Sequence, residues 1–266
     1  MRLNLDEYAY LDSPIHRWDA RTKLLGLMAV IFSFAFVRNL SLVPAMLGVT
    51  ALVYGLSRLP LSFLLTRLRY PGYFILGVVL VLPFLSGSTV LWQWGFLSLR
   101  QEGLLAMLLI IGRFLSIITL GLVLFGTTPF LSLVRAMRSL GLPPILADML
   151  LLTYRYLFVL LETLSTMQRS MRLRGFHHHS PRDRWFKPDW RRLQRFASLM
   201  GTLFIRGYEQ SDRIYTAMRL RGYGSTPNRV PYRSPLSAEA GTRWHRVGLA
   251  IALLTAMSFV IAEAWA

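Results

Sequence analysis

The sequence predicts an all-α integral membrane protein with about five transmembrane helices and long cytoplasmic amphipathic helices. Three observations carry that prediction. Of 266 residues, 54% are apolar or aromatic and 16% are charged, where about 25% charged is usual for a soluble domain. The apolar residues gather into uncharged runs near bilayer length, and the mean hydropathy is +0.43. The net charge of +17 is uneven: residues 1–161 hold 13 Lys+Arg, and the shorter stretch 162–246 holds 17. A soluble chain of this length would need a polar surface that this composition does not supply, and disorder needs low hydrophobicity. With no cysteine, disulfides, thiolate metal sites and a cysteine nucleophile are excluded.

The elements follow in order. Residues 1–19 are polar and carry Asp6, Glu7, Asp12 and Asp19, without the basic-then-apolar pattern of a cleaved signal peptide. The first apolar run, 24–37, lies between Lys23 and Arg38. As a helix it reaches about 21 Å, short of a bilayer core of about 30 Å, and snorkelling of the flanking cations extends it. Residues 40–57 form a second span, followed by a basic loop with Arg58, Arg67 and Arg69. The third run is 71–85, after which Trp92 and Trp94 mark an interfacial exit. The fourth is 103–126, interrupted by Arg113, and the last is 247–262, behind Arg243, His245 and Arg246.

Cations set the orientation. With Arg17, Arg21 and Lys23 inside, Arg58, Arg67 and Arg69 return inside, as do Arg135 and Arg138. Residues 144–161 are apolar enough for a sixth span, yet cations lie on both sides of them, so a single crossing is inconsistent. The expectation is that 129–161 dips into the membrane or lies along it. The chain then divides into an N-terminal membrane region of about four spans (1–128), a cytoplasmic or interfacial region (129–246) and a C-terminal span (247–266). Arg113 is either a functional intramembrane cation or snorkels to the outer interface; Asp148 and Glu162 are candidate polar partners.

Within the basic stretch, Leu193, Phe196, Leu199, Met200, Leu203 and Phe204 recur at i, i+3, i+4 spacing, with Arg191, Arg192, Arg195 and Arg206 mostly elsewhere. That predicts an amphipathic helix over 191–208, suited to a membrane surface or another helix. Residues 177–190 read as a loop.

One internal repeat stands out. Met171-Arg-Leu-Arg-Gly-Phe176 recurs 47 residues later as Met218-Arg-Leu-Arg-Gly-Tyr223. Each copy closes a helical stretch, with glycine where a helix C′ residue is expected and arginines in the last turn, favourable to the macrodipole. Helix capping alone would explain one copy. Two copies, presenting Arg174 and Arg221, look like two plugs for two similar sockets, and the planar guanidinium fork suits carboxylates and carbonyls.

Other chemistry is thinly represented. There is no G-x-x-x-x-G-K-[ST] loop, and the lysines are Lys23 and Lys187, so any ATP hydrolysis resides in a partner. His177-His178-His179 lie in a loop, where consecutive side chains rarely converge on one ion; no metal site is assigned to them. No H-E-x-x-H, paired-carboxylate or nucleophile-elbow pattern appears.

The paired Arg-Gly helix ends resemble the two coupling-helix motifs of the transmembrane (T) component of energy-coupling factor transporters. Ser13-Pro-Ile-His-Arg-Trp-Asp-Ala-Arg-Thr-Lys23 is similar to that family's entry into its first membrane helix, with Ala20 in place of the usual proline. Residues 153–162, Thr-Tyr-Arg-Tyr-Leu-Phe-Val-Leu-Leu-Glu, look like the cobalt or nickel subgroup. These features span 13–224. Both motifs carry Leu173 or Leu220 where the family usually has alanine.

The resemblance implies a subunit of an ABC-type importer in a prokaryotic inner membrane, with its N-terminus and coupling region cytoplasmic. It implies two copies of an ABC-type ATPase as partners, a substrate-binding membrane subunit, and room for a small accessory membrane subunit. Arg174 and Arg221 would each enter a groove on one ATPase, Gly175 and Gly222 would permit close approach, and Arg172 and Arg219 would make secondary contacts. This chain itself would hold no cofactor; ATP with magnesium would sit in the ATPases, and cobalt or nickel in the substrate-binding subunit. A T component serving a vitamin is the nearest alternative. A membrane enzyme acting on lipid or prenyl chains is more remote, since Asp or His clusters at membrane borders are missing, and a nucleic-acid partner is not expected.

Overall fold

The computed structural model describes residues 8, 11–85, 90–94, 97–175, 190–224 and 242–265. The described residues fall into two compact units, one formed by residues 8–141 with 242–265 and the other by residues 142–224.

In the first unit, α1 (Ala20–Phe36) and α8 (Thr242–Trp265) run side by side in the same direction. The backbone N–H of Asp19, ahead of α1, donates to Nδ1 of His245 at 3.1 Å, and the N–H of Asn39, beyond its end, donates to the Glu263 carboxylate at 3.3 Å. Between these points Ser33 Oγ donates to the Ala256 carbonyl at 2.8 Å, and Phe34 meets Phe259 edge-on at 4.9 Å. Small residues bring the axes close: a Cβ at Gly26 would stand 3.0 Å from that of Ala252. In lipid, where apolar side chains gain nothing by leaving water, such close packing and hydrogen bonding hold helices together.

Helix α4 (Gln101–Gly126) runs antiparallel to α1. Near its end Lys23 Nζ, buried to 1% exposure, donates to the Thr127 carbonyl (3.3 Å) and to the hydroxyls of Thr127 (3.3 Å) and Thr128 (3.1 Å). Helix α2 (Val43–Ser57) lies against α4, where a Cβ on Gly112 would stand 2.6 Å from Val43 Cγ1. Leu27, Val30, Phe34, Met46, Leu120 and Leu124 form the core. Helix α3 (Leu61–Leu85) and the antiparallel hairpin β1 (Val90–Trp94) and β2 (Leu97–Arg100) lead into α4. The amphipathic α5 (Phe130–Ser139) buries Leu133, Val134 and Ala136. Ahead of α1, His16 Nδ1 lies 2.6 Å from Ser13 Oγ and Nε2 lies 2.9 Å from the Tyr8 carbonyl; burial lowers its pKa from 6.5, with Lys23 adding to the effect.

The helical membrane reading holds, with differences in detail. Among the described residues five helices are long and apolar enough to cross a membrane: Leu40–Ser57, Leu61–Pro83, Gln101–Gly126, Pro144–Leu173 and Trp244–Trp265. The first sequence run is not among them, because α1 has 17 residues, about 25 Å. Arg67 and Arg69 were expected in a loop and instead lie within α3, their guanidinium carbons 5.6 Å and 6.0 Å from the rings of Phe63 and Tyr73. Nothing between Leu61 and Tyr70 breaks a helix, and α3 continues through Pro71. The Trp92–Trp94 stretch, read as an interfacial exit, is a strand of the hairpin.

The end of α4 lies at the level of the start of α1, where α8 also begins.

Candidate functional site

The second unit is built from two long helices, α6 (Pro144–Leu173) and α7 (Trp190–Leu220). Helix α6 starts on Pro144, whose missing N–H costs nothing at a first turn. It continues without a break through 161 to the first Arg-Gly motif, so the apolar stretch and the motif share one rod. Helix α7 contains the whole periodic stretch 191–208 and extends it to the second motif.

The two motifs end their helices in the same way. Gly175 and Gly222 have φ of +86° and +79°, a left-handed conformation that L side chains adopt at a cost. The Gly222 N–H donates to the Arg219 carbonyl at 2.9 Å and the Tyr223 N–H to the Met218 carbonyl at 3.0 Å, which together make a Schellman cap. In the first copy, Gly175 N–H donates to the Arg172 carbonyl at 3.1 Å. Arg174 and Arg221 therefore occupy the same position, one residue before the left-handed glycine, and both are exposed. Leu173 and Leu220 are 84% and 85% exposed, so the two motifs present matching leucine–arginine pairs. Arg172 is exposed, and the Arg219 guanidinium carbon lies 5.8 Å from the Tyr215 ring centre.

The helices are antiparallel, which separates the two ends. A Cβ on Gly207 would meet Leu160 Cδ2 at 3.8 Å near the middle of both, and the Tyr223 hydroxyl donates to Asp148 Oδ2 at 3.0 Å. The second motif thus sits beside the start of α6 and the first at its far end. Along α6 the separation of Asp148 from Arg174 is about 40 Å.

Several sequence expectations change. Asp148, offered as a partner for Arg113, instead receives the Tyr223 hydroxyl. Arg113 lies midway along α4, and its guanidinium donates to the carbonyl of Val37, the C-cap residue of α1. A cation there complements the negative end of a helix dipole, so Arg113 caps its neighbour. The side chain of Glu162 is exposed. His177, His178 and His179 lie outside the described residues, and among the described residues no group of three or more His, Cys, Asp or Glu could hold a metal ion. Sequence reasoning notes Leu173 and Leu220 only as departures from the family pattern and gives neither them nor Tyr223 a role, although the repetition of leucine and of an aromatic ring in both copies was a signal for one.

Comparison with known proteins places these features in a family. Residues 12–232 match the family model described as cobalt transport protein, CbiQ. The chain is 30% identical to the energy-coupling factor transporter transmembrane protein EcfT of Lacticaseibacillus paracasei, over 87% of this chain and 89% of that one. It is 27% identical to the EcfT protein of Limosilactobacillus fermentum over 98% of both chains. Against that of Bacillus subtilis the identity is 26%, over 86% of this chain and 88% of the relative.

Proposed function

This chain belongs to the cobalt transport protein family, as a multi-pass bacterial membrane subunit of the energy-coupling factor type, and from that premise we propose that it couples two cytosolic ATPases to the uptake of cobalt or nickel. Arg174 and Arg221 each enter a groove on one ATPase protomer. Leu173 and Leu220 add apolar contact, Gly175 and Gly222 let the partner backbone approach, and Arg172 and Arg219 provide secondary contacts. ATP and magnesium belong to the ATPases, and the transition metal ion, as cargo, to a separate substrate-binding membrane subunit.

The observation that carries this reading is the pair of identical helix ends, exposed and about 40 Å apart on one antiparallel pair. Two equivalent plugs that far apart suit two separate protomers better than two contacts on one. Rigid helices of 30 and 31 residues would pass a displacement at either end along their length. A cytoplasmic position for this unit is supported by the cations on both flanks of residues 144–161 and by the 17 Lys+Arg of residues 162–246. Helix α7 is not among the helices apolar enough to span a membrane. The family model's description favours a metal cargo.

The test is a pull-down from membranes followed by uptake of radiolabelled cobalt. Two copies of an ABC-type ATPase are expected to follow the full chain. Arg174→Ala with Arg221→Ala is expected to abolish uptake while membrane insertion is unchanged. Full uptake by the double variant overturns the coupling role. Vitamin uptake without cobalt uptake overturns the cargo assignment alone.

A further inference from the structure

A groove of about 1180 Å³ lies among α1, α2, α8 and the turn ahead of α1, wholly within the first unit. It exceeds the roughly 300–1,000 Å³ of most small-molecule pockets. Its walls differ sharply along its length. One end carries Arg17, Arg58, Trp244 and His245, and the remainder is aliphatic, including Leu52, Leu56 and Ile251. Leu52 and Ile251 are 63% and 57% exposed, so the aliphatic wall is open to an occupant.

The groove's length identifies the occupant. On α8 it runs from Trp244 to Thr255, a rise of about 16 Å, and on α2 from Arg58 back to Val49, about 13 Å. Both match one leaflet, half of a hydrocarbon core of about 30 Å. A membrane helix of a partner would need a groove of full bilayer length. Two arginines and a tryptophan at one end, with aliphatic side chains ending near mid-bilayer, match a headgroup and its acyl chains. Asp12 is the acidic residue in the lining, 3.9 Å from Arg17; both side chains are largely exposed, and such a pair yields readily to another anion.

We propose that this groove is a binding site for an anionic glycerophospholipid, with the phosphate at Arg17 and Arg58 and the acyl chains along Leu52, Leu56 and Ile251. The bound lipid fills the gap between α2 and α8 at the end of the bundle where α1, α8 and the end of α4 meet. This assignment is independent of the transported cargo.

Native mass spectrometry of the full chain, taken from vesicles of phosphatidylglycerol and phosphatidylcholine in equal amounts, tests it. The expected result is retention of phosphatidylglycerol over phosphatidylcholine on the order of tenfold. Arg17→Gln with Arg58→Asn, the second chosen because Arg58 has a φ of +53° that Asn tolerates, should bring the ratio close to one. Leu52→Trp, at an exposed wall position, should reduce retention of both lipids. Equal retention by the unaltered chain, or an unchanged preference in the arginine variant, overturns the proposal. So does loss of the lipid in the assembled complex together with a crosslink from position 52 to a partner subunit.

Discussion

The hydroxyl of Tyr223 donates to the carboxylate of Asp148, joining the residue after the second Arg-Gly motif to the first turns of the helix that carries the first motif. The bond spans 75 positions of sequence and lies exposed to solvent. It holds the end of α7 in place beside α6 and so helps fix the distance between the two arginines. Tyr223→Phe keeps the ring and removes the donor. Because the bond is exposed, global stability should fall by no more than about 1 kcal/mol. Hydrogen exchange over 215–223 should accelerate. If exchange there is unchanged, the bond does not hold the helix end.

The left-handed glycines make a second prediction. Ala at Gly175 or Gly222 would have to adopt φ of +86° or +79°, at a cost of about 1–2 kcal/mol each. The cap then opens, and the arginine before it loses its fixed direction. Gly222→Asn, which tolerates this region, should retain more ATPase binding than Gly222→Ala in a pull-down. Equal retention by the two would mean that cap geometry is irrelevant to the contact.

Lys23 is buried against the corner between α4 and α5, where it supplies hydrogens to Thr127 and Thr128. Lys23→Met preserves the aliphatic stem and leaves those oxygens without the ammonium. A loss of about 2 kcal/mol is expected, as for a buried hydrogen bond to a charged group. Thermal unfolding of the purified full chain measures it. A midpoint unchanged from the parent would show that the oxygens find other donors.

His16 makes a pH dependence. Burial, with help from Lys23, lowers its pKa from 6.5, so the unfolded chain takes up the proton first. Its contribution to stability is intact above about pH 6.5 and is lost as pH falls through the lower folded-state value. His16→Gln should flatten the fall in stability below about pH 6.5, the ordinary imidazole value. A profile unchanged by the substitution would place the titration elsewhere.

Much of the fold was legible because membrane spans announce themselves by apolar length. The fourth run, 103–126, begins two residues after α4 and ends with it. The repeat was equally legible, since glycine after a basic helix end has one common use. Legibility failed where charge and helix coincide. Arg67 and Arg69 suggested a loop, yet arginine is a good helix former and lies readily over Phe63 and Tyr73. For Arg113 sequence reasoning offers the acidic Asp148 and Glu162, whereas its acceptor is the backbone carbonyl of Val37, which no side-chain pattern marks. The antiparallel placement of the two motifs was likewise hidden: it depends on Tyr223 meeting Asp148, and no local pattern encodes a contact at that separation.

The pairing of α1 with α8 has a consequence for how the molecule is made. Ser33 must wait for the Ala256 carbonyl, 223 residues later in the chain. At ribosomal rates of about 5–20 residues per second, that interval is roughly 11–45 s. During it the seam that will receive α8, with Gly26 and Phe34 along it, faces lipid or an insertion chaperone. Closure of the bundle is therefore one of the last events of biogenesis, and a ribosome stalled before α8 would leave a first helix with no permanent neighbour along that seam.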